Sequence, residues 1–345
     1  MFKEITINNF RGIRTTSISG LKNVNLFFGK NNCGKSSVLD AIFLICGQSN
    51  PTLPLNINFF RGYSKVSRNV LKMDFYQLDE NKPIEITAID GETRHLSISV
   101  FESGVDEVQI SSHQEEAISS QADKRYGFRM DYSVDRKPYV SQLEILASDI
   151  SKAVSRTDER YKESLNCIYL SPRYDFLASI QGLINIIQNK DEKFIIDALK
   201  LIEPSVVDFV FTGTEMLVDV GLSERIPVNL LGDGARKIVS ILTAIYNCKG
   251  GVLLIDEIDN GFHYSILADL WRILLSTSSK NKVQLFVTTH DLDTIKGLVT
   301  ASNITGGADE ISSYKLQKLS DGELRPYLLK VSGLKYAVEQ EIEVR

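Results

Sequence analysis

Hydrophobic and polar positions follow two patterns along the chain. Runs rich in apolar residues at 2–8, 24–28, 252–255 and 283–291 predict strands, and the run at 252–255 is apolar throughout, which is typical of a buried strand. Between residues 70 and 134 polar and apolar residues alternate, as in strands with one buried face. The alternating segments are LKMDFYQL, IEITAI, HLSISVF and FRMDYSV.

Helical spacing of apolar residues separates several of these strands. It predicts a helix at Ser37–Cys46, directly after the second strand, and another at Ala235–Tyr246. Residues 142–164 are expected to form one amphipathic helix, and shorter helices are expected at 175–188 and 192–202.

The order of these elements predicts an α/β fold with a mixed sheet. We expect residues 1–60 to form the first part of the core and residues 166–345 to complete it. Residues 61–165 are expected to form an inserted lobe, rich in β-strands and ending in a helix.

Composition excludes several classes of protein. A chain of 345 residues with 43% apolar and 24% charged residues can bury a full core. The net charge of −5 argues against a strongly cationic nucleic-acid surface. The N-terminus, MFKEITINNFRG, lacks a signal-peptide pattern, and no stretch approaches the ~18 uninterrupted apolar residues of a membrane helix. We therefore expect a soluble cytoplasmic protein without a membrane partner.

The cysteines indicate neither a disulfide framework nor a zinc site. Cys33, Cys46, Cys167 and Cys248 show no C-x-x-C spacing. We expect four ordinary thiols, including Cys33, although its place in a glycine-rich turn would also suit an oxidation-sensitive site.

That glycine-rich turn is the first chemical centre. GKNNCGKSS, residues 29–37, fits G-x-x-x-x-G-K-[ST], the phosphate-binding loop, and it lies between a strand and a helix as the motif requires. The glycines let backbone N–H groups turn toward phosphates, Lys35 neutralises phosphate charge, and Ser36 offers a hydroxyl to Mg²⁺. The sequence therefore predicts a nucleotide site.

A second centre follows the strand at 252–255. It delivers Asp256 and Glu257 at its C-terminal end, where open α/β sheets place their ligands. Asp256 is positioned to hold Mg²⁺ and Glu257 to polarise the water that attacks the γ-phosphate. An apolar run followed by two acidic residues is a weak signal alone, since many strands end in solvated carboxylates. Paired with the loop at residue 29, it forms a Walker A and Walker B combination.

Two further elements flank the second centre. His290 follows the strand VQLFVTT, where its imidazole could hydrogen-bond the γ-phosphate or the attacking water. Upstream, LGDGAR begins with a tight turn before the helix at Ala235–Tyr246. Capping of that helix by Asp233 is the structural explanation of the turn.

These motifs together resemble the ABC-type ATPases of the overcoming-lysogenization-defect (OLD) family and related ATPases of anti-phage systems such as PtuA and AriA. The matching segments are ITINNFRGI, GKNNCGKSSVLDAI, LGDGAR, LLIDEIDNGFHYSILADLW and FVTTHD, and they cover residues 1–60 and 166–300. The familiar signature LSGGQ is absent, and LGDGAR stands in its place.

The resemblance implies ATP and Mg²⁺ as cofactors. ATP would be held by Gly29, Lys30, Asn31, Asn32, Cys33, Gly34, Lys35, Ser36 and Ser37. Mg²⁺ would lie near Ser36 and Asp256, with Glu257 as the catalytic carboxylate and His290 as the switch histidine. Residues 259–263 would be the counterpart of the D-loop.

The resemblance also implies a second subunit. The signature turn of one protomer would contact the γ-phosphate bound by the other through Leu231, Gly232, Asp233 and Gly234. Arg11, in the NFRG segment, is expected to approach the nucleotide or a partner. The Q-loop glutamine has two candidates, Gln48 and Gln77.

The chain departs from OLD enzymes after His290. Those enzymes carry a C-terminal Toprim nuclease, which needs on the order of 100 residues with a Glu and a D-x-D pair on separate strands. Only 55 residues follow His290, and the D-x-D at Asp291–Asp293 is better explained as a helix N-cap. We therefore expect a stand-alone ATPase that controls a separately encoded effector, with any nuclease chemistry on that effector.

Three functions remain open at this stage. The first is an ATPase switch that dimerises around ATP in anti-phage defence. The second is a DNA-repair clamp like RecF or SMC, against which the lack of long coiled-coil arms and the negative charge count. The third is the ATP-binding subunit of a transporter, which would normally carry LSGGQ.

Nucleic acid remains a further possible partner because of one mixed segment. Basic residues alternate there with aromatic ones, a combination suited to backbone contacts and base stacking. Three aspartates dilute the basic charge, which favours a solvated strand face instead. The residues concerned are Lys124, Arg125, Tyr126, Phe128, Arg129, Tyr132, Arg136, Lys137 and Tyr139, with Asp123, Asp131 and Asp135.

Overall fold

The structure, a computed structural model, describes residues 1–63, 67–103, 125–146, 149–173 and 176–339. Its strands form three sheets, and its helices pack mainly on the two faces of one of them. The strands are β1 Glu4–Phe10, β2 Ile13–Ser19, β3 Val24–Phe28, β4 Ile84–Ile89, β5 Thr93–Ser103, β6 Arg125–Val134, β7 Lys137–Leu146, β8 Asp149–Arg156, β9 Cys167–Leu170, β10 Asp208–Phe211, β11 Met216–Asp219, β12 Ile226–Pro227, β13 Val252–Ile255, β14 Gln284–Thr289, β15 Ile311–Lys318 and β16 Leu324–Leu329. The helices are α1 Lys35–Cys46, α2 Leu53–Phe60, α3 Arg68–Lys72, α4 Phe176–Ile180, α5 Leu183–Gln188, α6 Lys193–Leu199, α7 Asp233–Asn247, α8 Leu267–Asn281, α9 Leu292–Thr305 and α10 Val331–Glu339.

The central sheet is mixed, as the sequence predicts. Its strand order is β16-β15-β3-β14-β13-β9, and only β16 runs antiparallel to its neighbour. Every residue of β3, β13 and β14 is buried, because both faces of this sheet are covered. These three neighbouring strands all lead into candidate site residues at their C-terminal ends.

Alternate side chains of the central strands enter two different cores. Val252 and Leu254 of β13 face α1, whereas Leu253 and Ile255 face the layer that contains α7, α8 and α9. The period-two geometry of a strand produces this division. It places the phosphate-loop helix on one face of the sheet and the signature helix on the opposite face.

A second, antiparallel sheet covers α1 from outside. Its order is β2-β1-β4-β5-β6-β7-β8, and α1 contacts β1, β4 and β5 on one side and β9, β13 and β14 on the other. Strand β4 alternates buried and half-buried positions along most of its length, as expected for a sheet with one covered face. Helix α1 is therefore held between two sheets. A third, small sheet consists of β10, β11 and β12.

Two local predictions are wrong. Residues 142–164 are not one helix: they contain the end of β7 and all of β8, because the alternation of Leu143 and Ile145 pairs with β6. LKMDFYQL is not a strand but contains the end of α3 and a short 3₁₀ turn. The other three alternating segments do form strands β4, β5 and β6.

The inserted lobe shares its sheet with the N-terminal strands. Strand β1 pairs with β4, so hydrogen bonding continues across the predicted boundary between residues 60 and 61. The division into 1–60, 61–165 and 166–345 stays a prediction. One further tie joins the N-terminus to the central sheet: the buried Gln284 amide accepts from the backbone N–H of Phe2 and donates to its carbonyl, each at 2.8 Å.

Candidate functional site

The phosphate-binding loop connects β3 to α1 by a tightly packed turn. Gly29 and Gly34 have φ angles of +142° and +105°, which side chains rarely adopt. A Cβ on Gly29 would also lie 2.6 Å from the carbonyl oxygen of Leu316. The Lys35 ammonium donates to the carbonyls of Gly29 at 2.9 Å and Lys30 at 3.0 Å, so the loop encloses its cation as the motif predicts.

Ser36 and Asp256 meet at the ends of adjacent elements. The Ser36 hydroxyl donates to Asp256 Oδ1 at 2.9 Å, and the Thr288 hydroxyl donates to the same oxygen at 2.5 Å. Burial raises the pKa of Asp256, and these two hydrogen bonds oppose the shift because they favour the carboxylate. Hydroxyl and carboxylate oxygens are the ligands that suit Mg²⁺, so the residues present fit the predicted ion.

Few protein groups that could bind a metal ion surround the Ser36–Asp256 pair. Within the described ranges, no group of three or more His, Cys, Asp and Glu side chains is placed to hold a metal ion. Mg²⁺ characteristically binds through one or two protein groups together with substrate phosphates and water. The Ser36 and Asp256 pair therefore suits a nucleotide-bound Mg²⁺ rather than an all-protein metal site.

Glu257 adopts a backbone conformation unusual for a side-chain-bearing residue. Its φ is +52°, its N–H donates to Thr288 Oγ1 at 2.8 Å, and its Oε2 accepts from the Asn260 amide at 2.6 Å. Sequence reasoning missed Thr288, and it included Asn260 only as part of the D-loop counterpart at residues 259–263. A Thr-Thr pair at the end of a buried strand was visible, but threonine is common in strands and gave no specific signal.

His290 lies beside the predicted D-loop counterpart. Its Nδ1 is 3.5 Å from Asp259 Oδ2, and the Thr289 hydroxyl donates to Asp259 Oδ1 at 2.7 Å. With 43% of its side chain exposed, His290 keeps an accessible face. The ends of β13 and β14 thus bring Asp256, Glu257 and His290 to one edge of the sheet.

The LGDGAR turn packs against the loop after β13. A Cβ on Gly234 would lie 2.8 Å from the carbonyl oxygen of Gly261, whereas Gly29 packs against Leu316. The two glycine-rich turns are therefore held by different parts of the fold.

Asp233 does not cap α7, contrary to the sequence prediction. Gly232, with a φ of +91°, is the N-cap, and Asp233 is the first helical residue. Its carboxylate lies 3.2 Å from Arg236 Nη1 and is largely exposed. By contrast, Asp291 caps α9 as predicted, since its side chain accepts from the backbone N–H of Thr294 at 2.9 Å.

Arg11 belongs to a buried network on the phosphate-loop helix. It donates to Asp40 of α1, to Asp74 at 3.1 Å and to Asn58 at 3.1 Å. Burial raises the pKa of Asp74 to about 6, although Arg11 opposes that shift. Arg61 also donates to Asp40, at 2.5 Å. The structure thus shows Arg11 bound to three side chains of its own chain.

The two glutamine candidates occupy different places. Gln48 is fully buried just beyond the C-terminal end of α1. Gln77 lines a cavity of about 450 Å³ together with Gly34, Ser37 and Arg11. Gln77 is therefore the candidate beside the phosphate-binding loop.

Three of the four aromatic residues in the mixed basic and aromatic segment are turned into the core. Phe128 and Tyr132 are buried, and Tyr126 nearly so. Arg129 forms a 2.8 Å ion pair with Asp131, as expected for a solvated strand face. Lys124 and Asp123 lie outside the described residues.

The four cysteines are free thiols, and burial raises the pKa of Cys33.

Two proteins show what the chain is similar to in sequence. An ATP/GTP phosphatase of Helicobacter pylori is 24% identical over 337 residues, covering 86% of this chain and 87% of the relative. An uncharacterized protein of Methanocaldococcus jannaschii is 48% identical over 44 residues, which is 13% of this chain and 20% of that protein. No helix within the described ranges is both long and apolar enough to cross a membrane.

A solved structure and a family match define the class. An SmcHead bound to the C-winged helix domain of ScpA aligns with a TM-score of 0.51 at 11% identity, covering 95% of this chain and 97% of that chain. This likeness concerns the fold, which is that of an ABC-type ATPase head. The family described as "AAA domain, putative AbiEii toxin, Type IV TA system" matches residues 24–295. The chain belongs to this AAA-domain family and has the fold of an ABC-type P-loop ATPase.

Proposed function

We propose that the protein binds ATP with Mg²⁺ and hydrolyses it to ADP and phosphate. The observation that carries this proposal is the convergence of three groups at one sheet edge: the enclosed Lys35, the Ser36–Asp256 pair, and Glu257 immediately beyond Asp256. The Helicobacter pylori relative, named an ATP/GTP phosphatase, supports nucleotide hydrolysis.

Each residue has a distinct part in the proposed reaction. Lys35 and the backbone N–H groups of the loop neutralise and orient the phosphates. Ser36 and Asp256 would hold Mg²⁺, which when bound stabilises the charge that develops on the transferred phosphoryl group. Glu257 accepts a proton from the attacking water, and His290 supplies a hydrogen bond at the same edge.

Room for the rest of the nucleotide lies beside the loop. The cavity of about 450 Å³ that contains Gly34 and Ser37 falls in the usual range of small-molecule sites, roughly 300–1,000 Å³. Its walls include the exposed side chain of Met73, which offers an apolar surface for a base. Its polar members, Arg11 and Gln77, offer hydrogen-bond donors.

Dimerisation around ATP forms the second part of the proposal. The signature turn lies on the opposite face of the sheet from α1, and the Asp233 side chain at its head is largely exposed. A turn so placed would reach a phosphate-binding loop on another subunit. The first backbone N–H groups of α7 have no partner within the helix, as at any helix N-terminus, and together with the positive dipole end they suit that contact.

Control of a partner effector is the biological role we infer. It rests on the resemblance to OLD-type, PtuA and AriA ATPases, and the effector would be a separately encoded protein, a nuclease, in anti-phage defence. A RecF-like or SMC-like DNA clamp is the alternative. Duplex DNA binding that depends on ATP would favour the clamp, whereas retention of a nuclease in a pull-down of the native complex would favour the switch.

The direct test is an ATP titration of the parent protein and of Lys35→Ala, followed by phosphate release. Loss of the enclosed cation should abolish ATP binding, because it is the fixed positive charge of the loop. Lys193→Ala serves as a control, since Lys193 is exposed on α6. Equal ATP affinity in the parent and Lys35→Ala would remove this loop from nucleotide binding.

A further inference from the structure

Lys237 is a half-buried cation that the nucleotide motifs do not explain. Its side chain leaves the first turns of α7, and Nζ donates to the carbonyl oxygens of Glu257 at 2.6 Å and Asn260 at 3.0 Å. The ammonium also lies 5.8 Å from the centroid of the Phe262 ring. Lys237 therefore contacts the loop after β13 at three successive points.

These contacts fix the backbone of Glu257, the proposed general base. Glu257 has a φ of +52°, a conformation that costs energy for a residue with a side chain and persists only where the surroundings enforce it. Its N–H is held by Thr288 at 2.8 Å and its carbonyl by Lys237. Both peptide groups of Glu257 are thus anchored, which sets the direction of its side chain.

The positive charge of Lys237 also interacts with the acidic residues of this loop. The carboxylates that face it are those of Asp256, Glu257 and Asp259. Burial lowers the pKa of Lys237 to about 8, against the pull of these three carboxylates. Hydrogen bonds from a charged donor are roughly twice as strong as neutral ones, so the ammonium is well suited to hold two carbonyls.

Helix α7 links this clamp to the signature turn. Gly234, one helical turn before Lys237, packs so closely on the loop that a Cβ there would lie 2.8 Å from the Gly261 carbonyl oxygen. The same helix end therefore touches the loop at Gly261 and, through Lys237, at Glu257 and Asn260. Movement of the α7 N-terminus would be transmitted to Glu257 through these contacts.

We propose that Lys237 is a positioning residue for the hydrolytic step, which holds Glu257 in its working orientation and couples it to the signature turn. This inference rests on the proposed ATPase function. Lys237 itself touches neither the phosphates nor the attacking water. Its removal should therefore impair turnover while leaving nucleotide binding intact.

The experiment compares Lys237→Met, Lys237→Arg and Lys249→Met with the parent protein. Methionine keeps the length of the side chain but removes the charge and the donors, whereas arginine keeps both. Lys249, exposed just beyond the other end of α7, is the matched control. For each protein we would measure kcat and KM for ATP, the Kd for ATP, and the melting temperature.

The expected result is a kcat that is lower by roughly 10- to 100-fold in Lys237→Met, with KM and Kd within about 3-fold of the parent. Lys237→Arg should recover at least part of that loss, and Lys249→Met should match the parent. Unchanged kcat in Lys237→Met would overturn the inference. So would a parallel loss of ATP affinity and melting temperature, or a folded Lys237→Arg protein as slow as Lys237→Met.

The same measurements separate this inference from the proposed function. A parent protein that releases no phosphate from ATP contradicts the ATPase proposal itself. A parent protein that turns over ATP, with Lys237→Met turning over equally fast, contradicts only the positioning role. If Lys237→Met does not fold, Lys237→Gln, which removes the charge and shortens the side chain, takes its place with the same expected result and the same contradicting results.

Discussion

The hydroxyl of Thr288 lies between the two acidic residues that follow β13. It donates to Asp256 at 2.5 Å and accepts from the backbone N–H of Glu257 at 2.8 Å. One buried side chain thus fixes the proposed metal ligand and the proposed base relative to each other. Threonine and valine have nearly the same shape, so the two roles can be tested without changing the packing much.

Thr288→Val should lower ATP turnover by at least ~10-fold, because Glu257 loses one of its two backbone anchors. The N–H left without a partner should also cost about 1–3 kcal/mol of stability. Thr243→Val is the control, since the buried Thr243 hydroxyl has no hydrogen-bond partner in the described part of the chain. Equal kcat and melting temperature in the two variants would show that the Thr288 hydroxyl has no such role.

Among single residues, motif spacing identified those whose chemistry is rare. The Gly-rich loop with Lys35 stands out because few structural needs produce that pattern, and Asp256 and Glu257 after an apolar run became informative only in combination with that loop. Thr288 and Lys237 did not stand out, since each is an ordinary residue in a strand or a helix, and Asn260 was included only through the D-loop counterpart at residues 259–263. Only the three-dimensional contacts assign them to the site.

At the scale of elements, a buried charge network ties α1 to the antiparallel sheet and the segment before β4. Arg11, between β1 and β2, donates to Asp40 of α1 and to Asp74, and Asn58 of α2 donates to Asp74 at 2.8 Å. The helix that carries the phosphate-binding loop is therefore fixed by charges as well as by apolar packing.

This network should make stability depend on pH. The pKa of Asp74 is about 6 in the folded protein and 3.8 as an ordinary value, so the folded state binds more protons between these limits. Stability should consequently fall as the pH rises from about 4 to about 6. Asp74→Asn, which keeps a hydrogen-bonding group but cannot ionise, should flatten this part of the curve, with Asp293→Asn as an exposed control. Urea midpoints measured from pH 4 to pH 7 would check it, and identical slopes in the parent and Asp74→Asn would contradict it.

The sequence predicted a helix or strand correctly where the spacing of its apolar residues fitted only one type of element. Strands β13 and β14 are short apolar runs with acidic or polar ends, and the helix at α7 has a clear apolar stripe. Residues 142–164 had two interpretations: Leu143 and Ile145 fit a strand, while Leu143, Leu146 and Ile150 fit a helix. Pairing of β7 with β6 decided between them, and such long-range pairing is not visible in local spacing.

At the scale of the whole molecule, the fold places the phosphate-binding loop and the LGDGAR turn apart. The phosphate-binding loop and α1 lie on one face of the central sheet, and α7 with its signature turn lies on the other. The fold class was predictable because the order of motifs specifies it. The subunit arrangement rests on the resemblance and on this separation, and it stays a prediction.

Mixing two inactive variants tests that arrangement. Lys35→Ala disables the phosphate-binding loop. Asp233→Trp places a bulky side chain on an exposed residue of the signature turn and leaves the phosphate-binding loop of the same subunit unchanged. Gly234 is less suitable for this test, because any side chain there would displace Gly261. Each variant alone should be inactive. A mixed pair keeps one intact composite site, so an equimolar mixture should recover about a quarter of the parent turnover per subunit. No recovery in a mixture shown to exchange subunits would contradict sites shared between protomers.

The central claim, that Glu257 drives hydrolysis at a site closed by ATP, is tested most directly by Glu257→Gln. Glutamine keeps the size of the side chain but cannot accept the proton of the attacking water, so turnover should fall by about 10²- to 10⁴-fold. Asp256 and Lys35 remain, so ATP should stay bound and stabilise the paired state by mass action. Phosphate release and light scattering would be measured together in ATP and Mg²⁺. The account predicts a slow, ATP-loaded dimer, and a Glu257→Gln protein that hydrolyses ATP at the parent rate would contradict it.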